Sequence, residues 1–382
     1  MRGWIEKRGS SYRVNIELDR APDGERKYIR KTLKGVKKKE ADAELTKMLH
    51  ELNTGTFIEP TKMTYGEYLD TWLPIHGKNI AISSLDRYKR EIDNRIKPVI
   101  GHIPLEKITP LTIQNFLDEI ERKGCLKGNK PLSVEVLKIN LRVIKKSLKQ
   151  ANHWEMLPRN PAANVSMPKT TVTKEMRILT EEQIKDVLAT LRADKKYQRY
   201  ALILLLVSTG LRLGEALALT WEDLDLTEGI VHVNKTIQYV DGRVIIGPPK
   251  TVSSNRKVPI DAEVVAVLKR CHTKQKENKL ALGDKWRGTG TVFTGPTGIT
   301  TLAVTVRYWW GRTCLHHGLG GVRIHDIRHT HATHLLASGK LDIKTIASRL
   351  GHKNAAMTLN TYSHVLPAKE KEAASVLAHL WT

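Results

Sequence analysis

The chain has 382 residues, more than one ordinary hydrophobic core holds, so two or three domains are expected. Lysine and arginine number 63 against 40 aspartate and glutamate residues, which gives a formal net charge of +23. Such an excess on a folded protein favours a polyanionic partner, nucleic acid before a membrane surface. Three widely spaced cysteines exclude a disulfide framework and a cysteine-rich zinc module.

No segment is expected to direct the chain to a membrane. The first residues lack the apolar stretch of a secretory signal. The longest aliphatic run covers residues 201–207, far short of the ~20 residues that a bilayer span requires. We therefore expect a soluble protein of a reducing compartment.

Residues 1–55 predict a small β-sheet with one helix behind it. Residues 11–18 alternate between apolar and polar side chains, residues 27–33 predict a returning strand after a turn at Pro22–Gly24, and residues 3–7 are a candidate third strand. From Lys37 the apolar residues recur every three or four positions, which predicts a helix ending at Gly55.

The strands and turns of this first block carry many basic residues. One face of the sheet packs on the helix, so the other face is free to contact phosphates or base edges in a major groove. The candidate DNA-contact residues here are Arg13, Asn15, Lys27, Arg30 and Lys31. The alternative is an ordinary solvated polar face, but the net charge favours DNA contact.

Residues 64–168, which follow a linker at 54–63, predict a helical bundle with a basic face. Apolar stripes that indicate core run through helices beginning near Tyr65, Ser83, Thr109 and Ser133. In the last of these helices the outward positions are basic. The candidate DNA contacts on that face are Lys138, Arg142 and Lys145.

Residues 174–382, beyond a second linker at 158–173, mix helices with a group of strands at 230–260. Within that group Asp241–Gly242 predicts a hairpin turn. The expected fold class is therefore multidomain α+β. It comprises an N-terminal sheet with a helix (1–55), an all-α domain (64–168) and a mainly α domain with a small β-sheet (174–382).

Four short segments of the third block could carry chemistry. In the first, an apolar helix stops at Gly210 and another begins near Leu213, so Arg212 lies at a helix start. Unpaired N–H groups there favour a phosphate, and Glu215, three residues on, can orient the Arg212 guanidinium. Arg–Glu pairs on helices are mostly structural, so this segment alone does not decide a function.

The other three segments also have ordinary structural interpretations when each is taken alone. Lys250 follows a predicted strand, where a lysine is usually just exposed. His325 and Arg328 share one face near a helix start, and Tyr362 follows His352 by ten residues.

The histidines of the third segment are also candidate zinc ligands. The spacings of His325 with His329 and of His331 with His334 suit zinc, but no HExxH glutamate or cysteine accompanies them. A phosphate site is therefore favoured, and neither a metal nor a cofactor is expected.

Together and in this order, the four segments closely resemble the tyrosine recombinase family, in particular phage and conjugative-transposon integrases. The motifs that carry the resemblance are Thr209–Glu215, Lys250, His325–Thr333, Leu350–His352 and Tyr362. The resemblance covers the whole chain and is less specific at the amino terminus. It implies an arm-type DNA-binding domain at 1–55, a core-type DNA-binding domain at 64–168 and a catalytic domain at 174–382.

The resemblance also implies a mechanism. Tyr362 would attack a DNA phosphodiester, giving a 3′-phosphotyrosyl intermediate and a free 5′-hydroxyl. Arg212 and Arg328 would hold the non-bridging oxygens through their planar guanidinium groups, and Lys250 would be the general acid. No ATP is needed, because the intermediate keeps the energy of the phosphodiester bond.

The histidines and the glutamate complete the implied site. His325 would accept the tyrosine proton or hold the phosphate, and His352 would donate to a non-bridging oxygen. Glu215 would orient Arg212 without contacting the DNA itself. The catalytic candidates are therefore Arg212, Lys250, His325, Arg328, His352 and the nucleophile Tyr362.

The partners implied by the resemblance are double-stranded DNA, with core and arm attachment sites, and three further copies of the chain in a homo-tetramer. Recombination would pass through a Holliday junction and would integrate or excise a mobile element or prophage at the nucleoid, in the cytoplasm of a bacterial host. Accessory DNA-bending or excision factors are further candidate partners. The tail after Pro367 would dock on a neighbouring protomer or pack on its own chain.

Two other functions stay open on the residues alone. A type IB topoisomerase-like DNA relaxer would share the catalytic residue types, although the DNA-binding domains ahead of them argue against it. A non-catalytic DNA-binding regulator would keep the fold, but a candidate stands at every catalytic position.

Overall fold

The computed structural model describes residues 2–18, 28–54, 63–124, 132–167, 176–194, 196–240, 243–248 and 254–362. The chain divides into two compact units, Met1–Val172 and Thr173–Thr382. Helices and small antiparallel sheets make up the described chain, which confirms the multidomain α+β class. The division into three domains stays a prediction. Within the described ranges, no helix is long and apolar enough to cross a membrane.

The first unit begins with the predicted three-stranded sheet. Strands β1 (Arg2–Arg8), β2 (Ser11–Glu17) and β3 (Tyr28–Lys34) pair antiparallel in that order, and helix α1 (Lys38–Asn53) follows them. All three predicted strands and the helix are confirmed. The turn predicted at residues 22–24 lies outside the described residues.

One face of this sheet packs on α1. Val14 and Ile16 are fully buried there with Met48 of the helix. Gly3 lets the helix approach β1, because a Cβ at that position would lie 2.7 Å from a Leu45 methyl carbon. The opposite face of the sheet is left without a covering helix among the described residues.

The rest of the first unit is the predicted helical bundle. Its helices are α2 (Tyr65–Gly77), α3 (Ile82–Glu91), α4 (Lys97–Ile100), α5 (Pro110–Lys123) and α6 (Val134–His153). A π-helical turn at Ile92–Ile96 joins α3 to α4. The apolar stripes form one core around Trp72 and Phe116, as expected. Ser83 does not cap α3, because the helix already begins at Ile82.

The second unit is mainly helical. Its helices are α7 (Glu181–Ala193), α8 (Tyr197–Thr209), α9 (Leu213–Ala218), α10 (Ala262–Leu282), α11 (Ala303–His316), α12 (Asp326–Ala337), α13 (Ile343–Leu350) and α14 (Ala355–Tyr362). Helix α8 is apolar on most of its surface and is in contact with α7, α10 and α12, so it lies at the centre of the core.

Two small sheets complete the second unit. Strands β4 (Leu224–Asp225), β5 (Ile230–Val233) and β8 (Arg256–Pro259) form one antiparallel sheet. Strands β6 (Thr236–Val240) and β7 (Arg243–Gly247) pair as a hairpin that packs against α9. The predicted strand group is thus confirmed, while its turn residues at 241–242 lie outside the described residues.

Candidate active site

The candidate site of the second unit is built from two turns and one helix start. The turn between α8 and α9 carries Arg212, the first turn of α12 carries His325 and Arg328, and the segment between α13 and α14 carries His352. These segments are far apart in the sequence. Their hydrogen bonds bring them together, so the structure assembles the residues that the motifs indicated.

Gly210 sets the path of the first turn. Its φ of +65° lies in the left-handed region, which ends α8 and which side chains other than glycine rarely adopt. A Cβ at this position would also lie 2.5 Å from the His331 ring. The turn therefore requires glycine for both its backbone conformation and its packing.

Arg212 is fixed by Glu215, as the three-residue spacing predicted. Its Nη1 donates to Oε1 of Glu215 at 2.8 Å, and its backbone N–H donates to Oε2 at 3.0 Å. Its side chain is 38% exposed, whereas that of Glu215 is 3% exposed. Burial raises the pKa of Glu215, but the charges of Arg256 and Arg212 outweigh burial and hold this pKa below its ordinary value.

This arrangement corrects one expectation from the sequence. The sequence predicts free N–H groups at this helix start that favour a phosphate, but one of them, the backbone N–H of Arg212, donates to the Glu215 carboxylate. Helix α9 is also only six residues long. A phosphate here would therefore be held by the exposed Arg212 side chain rather than by the start of the helix.

Arg328 connects two of the converging segments. Its side chain is buried, and it donates from Nη1 to the Gly210 carbonyl at 2.8 Å and from Nη2 to the Leu350 carbonyl at 2.7 Å. Two of its five N–H groups are thus used to hold backbone. Arg328 adds a positive charge to the site and also holds the Arg212 turn against the end of α13.

His325 and His352 are both neutral at pH 7. Burial comes first among the causes, and the positive charges of Arg328 and Arg212 add to it, so the pKa of each histidine is lowered to about 4. Arg328 and Arg212 lower the pKa of both rings, as expected for side chains grouped in one positively charged site.

Lys250 and the Tyr362 side chain lie outside the described residues. The backbone of Tyr362 is the last residue of α14. One turn earlier in this helix, the Thr358 hydroxyl lies 2.7 Å from Nδ1 of His352. This hydrogen bond fixes the middle of α14 to the site, four residues before the predicted nucleophile.

A groove of about 890 Å³ opens beside Arg212 and His325. Three further arginines that sequence analysis did not single out line this groove, namely Arg307, Arg312 and Arg323. These arginines make the wall of the groove basic beside Arg212 and His325.

The predicted DNA-contact residues of the first sheet lie on different faces and differ in exposure. Arg13 and Arg30 belong to the uncovered face, where the Arg30 guanidinium lies 5.3 Å from the Tyr28 ring centre. Asn15 shares that face by register, but it is 4% exposed. Lys31 projects instead toward α1 and donates to Glu44 at 2.6 Å. Lys27 lies outside the described residues.

Asn15 is too enclosed to contact DNA readily, whereas Lys31 is partly exposed on the helix side of the sheet, and both DNA contacts stay predictions. Asn15 lies at the centre of the sheet between its register partners Trp4 and Arg30, whose larger side chains flank it. Lys31 lies between Ile29 and Leu33 in the alternation of β3, and these two residues face the helix. Lys31 therefore lies on the same face.

The basic face of α6 is present as predicted, but its members differ. Arg142 is exposed. Lys138 forms an ion pair with Glu135 at 3.2 Å, and Lys145 donates to the Ala163 carbonyl at 3.3 Å. Arg142 is thus the most accessible of the three predicted contacts on this helix.

Two of the four candidate zinc ligands, His331 and His334, have backbone partners instead. Nδ1 of His331 lies 2.7 Å from the Val207 carbonyl oxygen, and Nε2 of His334 lies 2.9 Å from that of Leu179. Among the described residues, no group of three or more His, Cys, Asp or Glu side chains is placed to hold a metal ion.

Known families match both units. The model of the phage integrase family matches residues 177–369, just over half of the chain. The chain belongs to the phage integrase family. The model of the phage integrase N-terminal SAM-like domain matches residues 64–120, within the helical bundle. The identification as a tyrosine recombinase, made above from the motifs, is confirmed.

Individual members of the family resemble the whole chain. A protein described as tyrosine recombinase XerC-like, from Caldanaerobacter subterraneus subsp. tengcongensis, is 28% identical over 97% of this chain and 96% of its own length.

Solved structures of integrases share the fold. The Tn1549 transposon integrase, in complex with a circular intermediate DNA, matches 83% of this chain and 99% of its own with a TM-score of 0.67 and 23% identity. A lambda integrase tetramer bound to a Holliday junction matches 96% and 95% with a TM-score of 0.56 and 19% identity.

Proposed function

We infer that this integrase family member is a site-specific DNA recombinase that cleaves and rejoins DNA through Tyr362. The observation that carries this conclusion is the convergence of Arg212, Arg328, His325 and His352 at one place in the second unit. His352 is also hydrogen-bonded to Thr358, which lies four residues before Tyr362 on α14.

Charge neutralisation is the first task of such a site. A phosphodiester under attack by a phenolate accumulates negative charge on its non-bridging oxygens. Arg212 is exposed and held in place by Glu215, so it can meet a phosphate with a preset guanidinium orientation. Arg328 supplies a second positive charge from the buried side of the site.

Proton transfer is the second task. The phenol of a tyrosine has a pKa of about 10, so the attack requires a base near the hydroxyl. His325 is neutral at pH 7, and a bound phosphate would offset the positive charges that lower its pKa, so its ring could then accept that proton. His352 is neutral as well and would donate from its ring to a non-bridging oxygen, while Lys250 would protonate the leaving 5′-oxygen.

Double-stranded DNA is the proposed substrate. The net charge of +23 supplies the non-specific attraction to the phosphate backbone. Around the site, the groove lined by Arg307, Arg312 and Arg323 would hold DNA next to the scissile phosphate. Arg13 and Arg30 on the first sheet and Arg142 on α6 are the better placed of the predicted contacts outside the second unit.

Strand exchange between two duplexes requires four cleavages, so the proposed working unit is a homo-tetramer. The likeness to the lambda integrase tetramer on a Holliday junction supports this assembly. Integration or excision of a mobile element is the proposed outcome, which would take place on host DNA at the bacterial nucleoid. Accessory DNA-bending or excision factors stay candidate partners.

A nicked duplex tests the proposal directly. DNA taken from either side of the gene would be scanned with overlapping duplexes that carry a nick, because loss of the short 5′-hydroxyl fragment traps the covalent protein–DNA adduct. We expect an adduct with the wild-type protein and none with Tyr362→Phe. If the same protein also joins two duplexes, it is a recombinase and not a DNA relaxer. If no adduct forms, the DNA-binding regulator becomes the better interpretation.

A further inference from the structure

The Arg256 guanidinium connects three parts of the second unit. It is 6% exposed at the start of β8. Its Nη2 donates to Oε2 of Glu215 at 3.0 Å, its Nε to the Arg349 carbonyl at 2.7 Å and its Nη1 to the Ser254 carbonyl at 3.0 Å. A planar guanidinium with three directional bonds fixes the relative positions of its acceptors, which an ammonium on a flexible stem does not.

Two of these acceptors lead to proposed catalytic side chains. Glu215 holds Arg212 through both the guanidinium and the backbone N–H. Arg349 lies in the last turn of α13, three residues before His352. Gly351 packs directly on Arg256, since a Cβ at this glycine would lie 2.8 Å from the guanidinium Nη1.

We propose that Arg256 is a positioning residue for DNA cleavage, which sets Arg212 and His352 at the separation that a scissile phosphate requires. It does so by holding the Glu215 carboxylate and the end of α13 together. The inference rests on the proposed function and extends it to a residue outside the motifs. Arg256 itself need not contact DNA, because its side chain is enclosed by protein.

The electrostatics of His352 support this role. Burial lowers its pKa most, followed by the positive charges of Arg328, Arg212 and Arg256, and His329 contributes less. These charges come from α12, from the turn before α9 and from β8. Removing the Arg256 charge should therefore raise the pKa of His352, because its protonated form would meet less repulsion.

His325 provides an internal comparison for the same measurement. Its pKa is lowered by burial, by His329 and by Arg328 and Arg212, and Asp326 opposes them. Arg256 is not among the largest contributions to the pKa shift of His325. A substitution at Arg256 should consequently shift the pKa of His352 more than that of His325, whereas a general loosening of the site would shift both pKa values.

The test uses the full chain with two substitutions, Arg256→Met and Arg256→Lys. Arg95→Met is the matched control, since Arg95 is also enclosed and donates to the buried Glu91 at 2.6 Å, but in the helical bundle of the first unit. For each protein, NMR with ¹³C-labelled histidine gives the pKa of His352 and His325 without DNA. The rate of adduct formation and the affinity for the same nicked duplex are then measured.

With Arg256→Met we expect a higher pKa at His352 and a smaller change at His325. The adduct rate should fall by about 100-fold, a cost that a misplacement near 1 Å can reach. The duplex affinity should be unchanged. Arg256→Lys should return the pKa of His352 to the wild-type value without restoring the rate, because it restores the charge and not the three directional bonds.

Two results would overturn the role of Arg256. One is a rate for Arg256→Met no lower than that of Arg95→Met, and the other is full recovery of the rate by Arg256→Lys. A wild-type chain that forms no adduct would instead refute the proposed function. In that case an unshifted His352 titration in Arg256→Met would separately refute the coupling of Arg256 to His352.

Discussion

Nδ1 of His352 lies 2.7 Å from the hydroxyl oxygen of Thr358, which is fully buried. This hydrogen bond joins the segment after α13 to the helix that ends at Tyr362. It therefore connects a proposed phosphate-binding histidine with the element that carries the proposed nucleophile.

Thr358→Val removes this hydroxyl at nearly constant volume. We expect the protein to lose about 1–3 kcal/mol of stability, because the ring nitrogen of His352 is left without its partner. Adduct formation should slow more than duplex binding weakens. Thr358→Ser keeps the hydroxyl and serves as the control, and equal rates for the two variants would show that the bond does not position α14. Calorimetry and the nicked-duplex assay measure the two effects.

Arg212→Lys keeps the positive charge but loses the planar guanidinium that Glu215 orients. We expect cleavage to slow by roughly 100-fold, about 3 kcal/mol of transition-state stabilisation, by comparison with the loss of one oxyanion donor elsewhere. Arg199→Lys is the control, because Arg199 on α8 packs over the Trp309 ring of α11 and has no part in the proposed chemistry. The measurement is the single-turnover rate of cleavage of the nicked duplex. A wild-type rate for Arg212→Lys would contradict the role of the guanidinium.

Acid should destabilise the second unit through His331. Burial lowers its pKa to about 4, and its Nε2 has no partner among the described residues. An unfolded chain takes up the proton near pH 6.5, so stability is complete above that pH and falls toward pH 4. The loss from this histidine between pH 7 and pH 5 is about 2 kcal/mol.

The variant His331→Asn checks this pH dependence. Its amide N–H can still donate to the Val207 carbonyl, so the acid-dependent loss should shrink by about 2 kcal/mol while the fold is kept. His153→Asn, at an exposed position on α6, should leave the loss unchanged. Calorimetry from pH 7 to pH 5 measures the stability of both variants. An equal loss of stability in the two variants would contradict the assignment of this loss to His331.

Cleavage should not depend on a divalent metal. Arg212 and Arg328 supply the positive charge that metal ions supply in other phosphoryl-transfer sites. We therefore expect the same adduct yield with EDTA as with Mg²⁺ in the nicked-duplex assay. A strict requirement for Mg²⁺ in strand scission would contradict the metal-free mechanism.

Much of the fold could be predicted because its signals are local. Alternation predicted β1 to β3, and the break at Gly210 predicted the start of α9 near Leu213. The Arg212–Glu215 pair followed from a spacing of three residues. Each of these features depends on neighbours within a few positions of the sequence.

Other features depend on distant partners, and the sequence alone did not reveal them. Arg256 bonds to Glu215 and to the Arg349 carbonyl, which are 41 and 93 positions away. The sole local signal was that Arg256 shares one face of β8 with the buried Val258. Asn15 is a second example. Alternation predicts which face of the sheet it lies on, but it does not predict that neighbouring side chains cover it.

Identification of the residue that becomes attached to DNA tests the central claim most directly. After trapping on a nicked duplex, nuclease and protease digestion followed by mass spectrometry would locate the nucleotide-bearing peptide. We expect the nucleotide on the Tyr362 hydroxyl, joined through a 3′-phosphate. A nucleotide on any other side chain, or an adduct that persists in Tyr362→Phe, would contradict the mechanism.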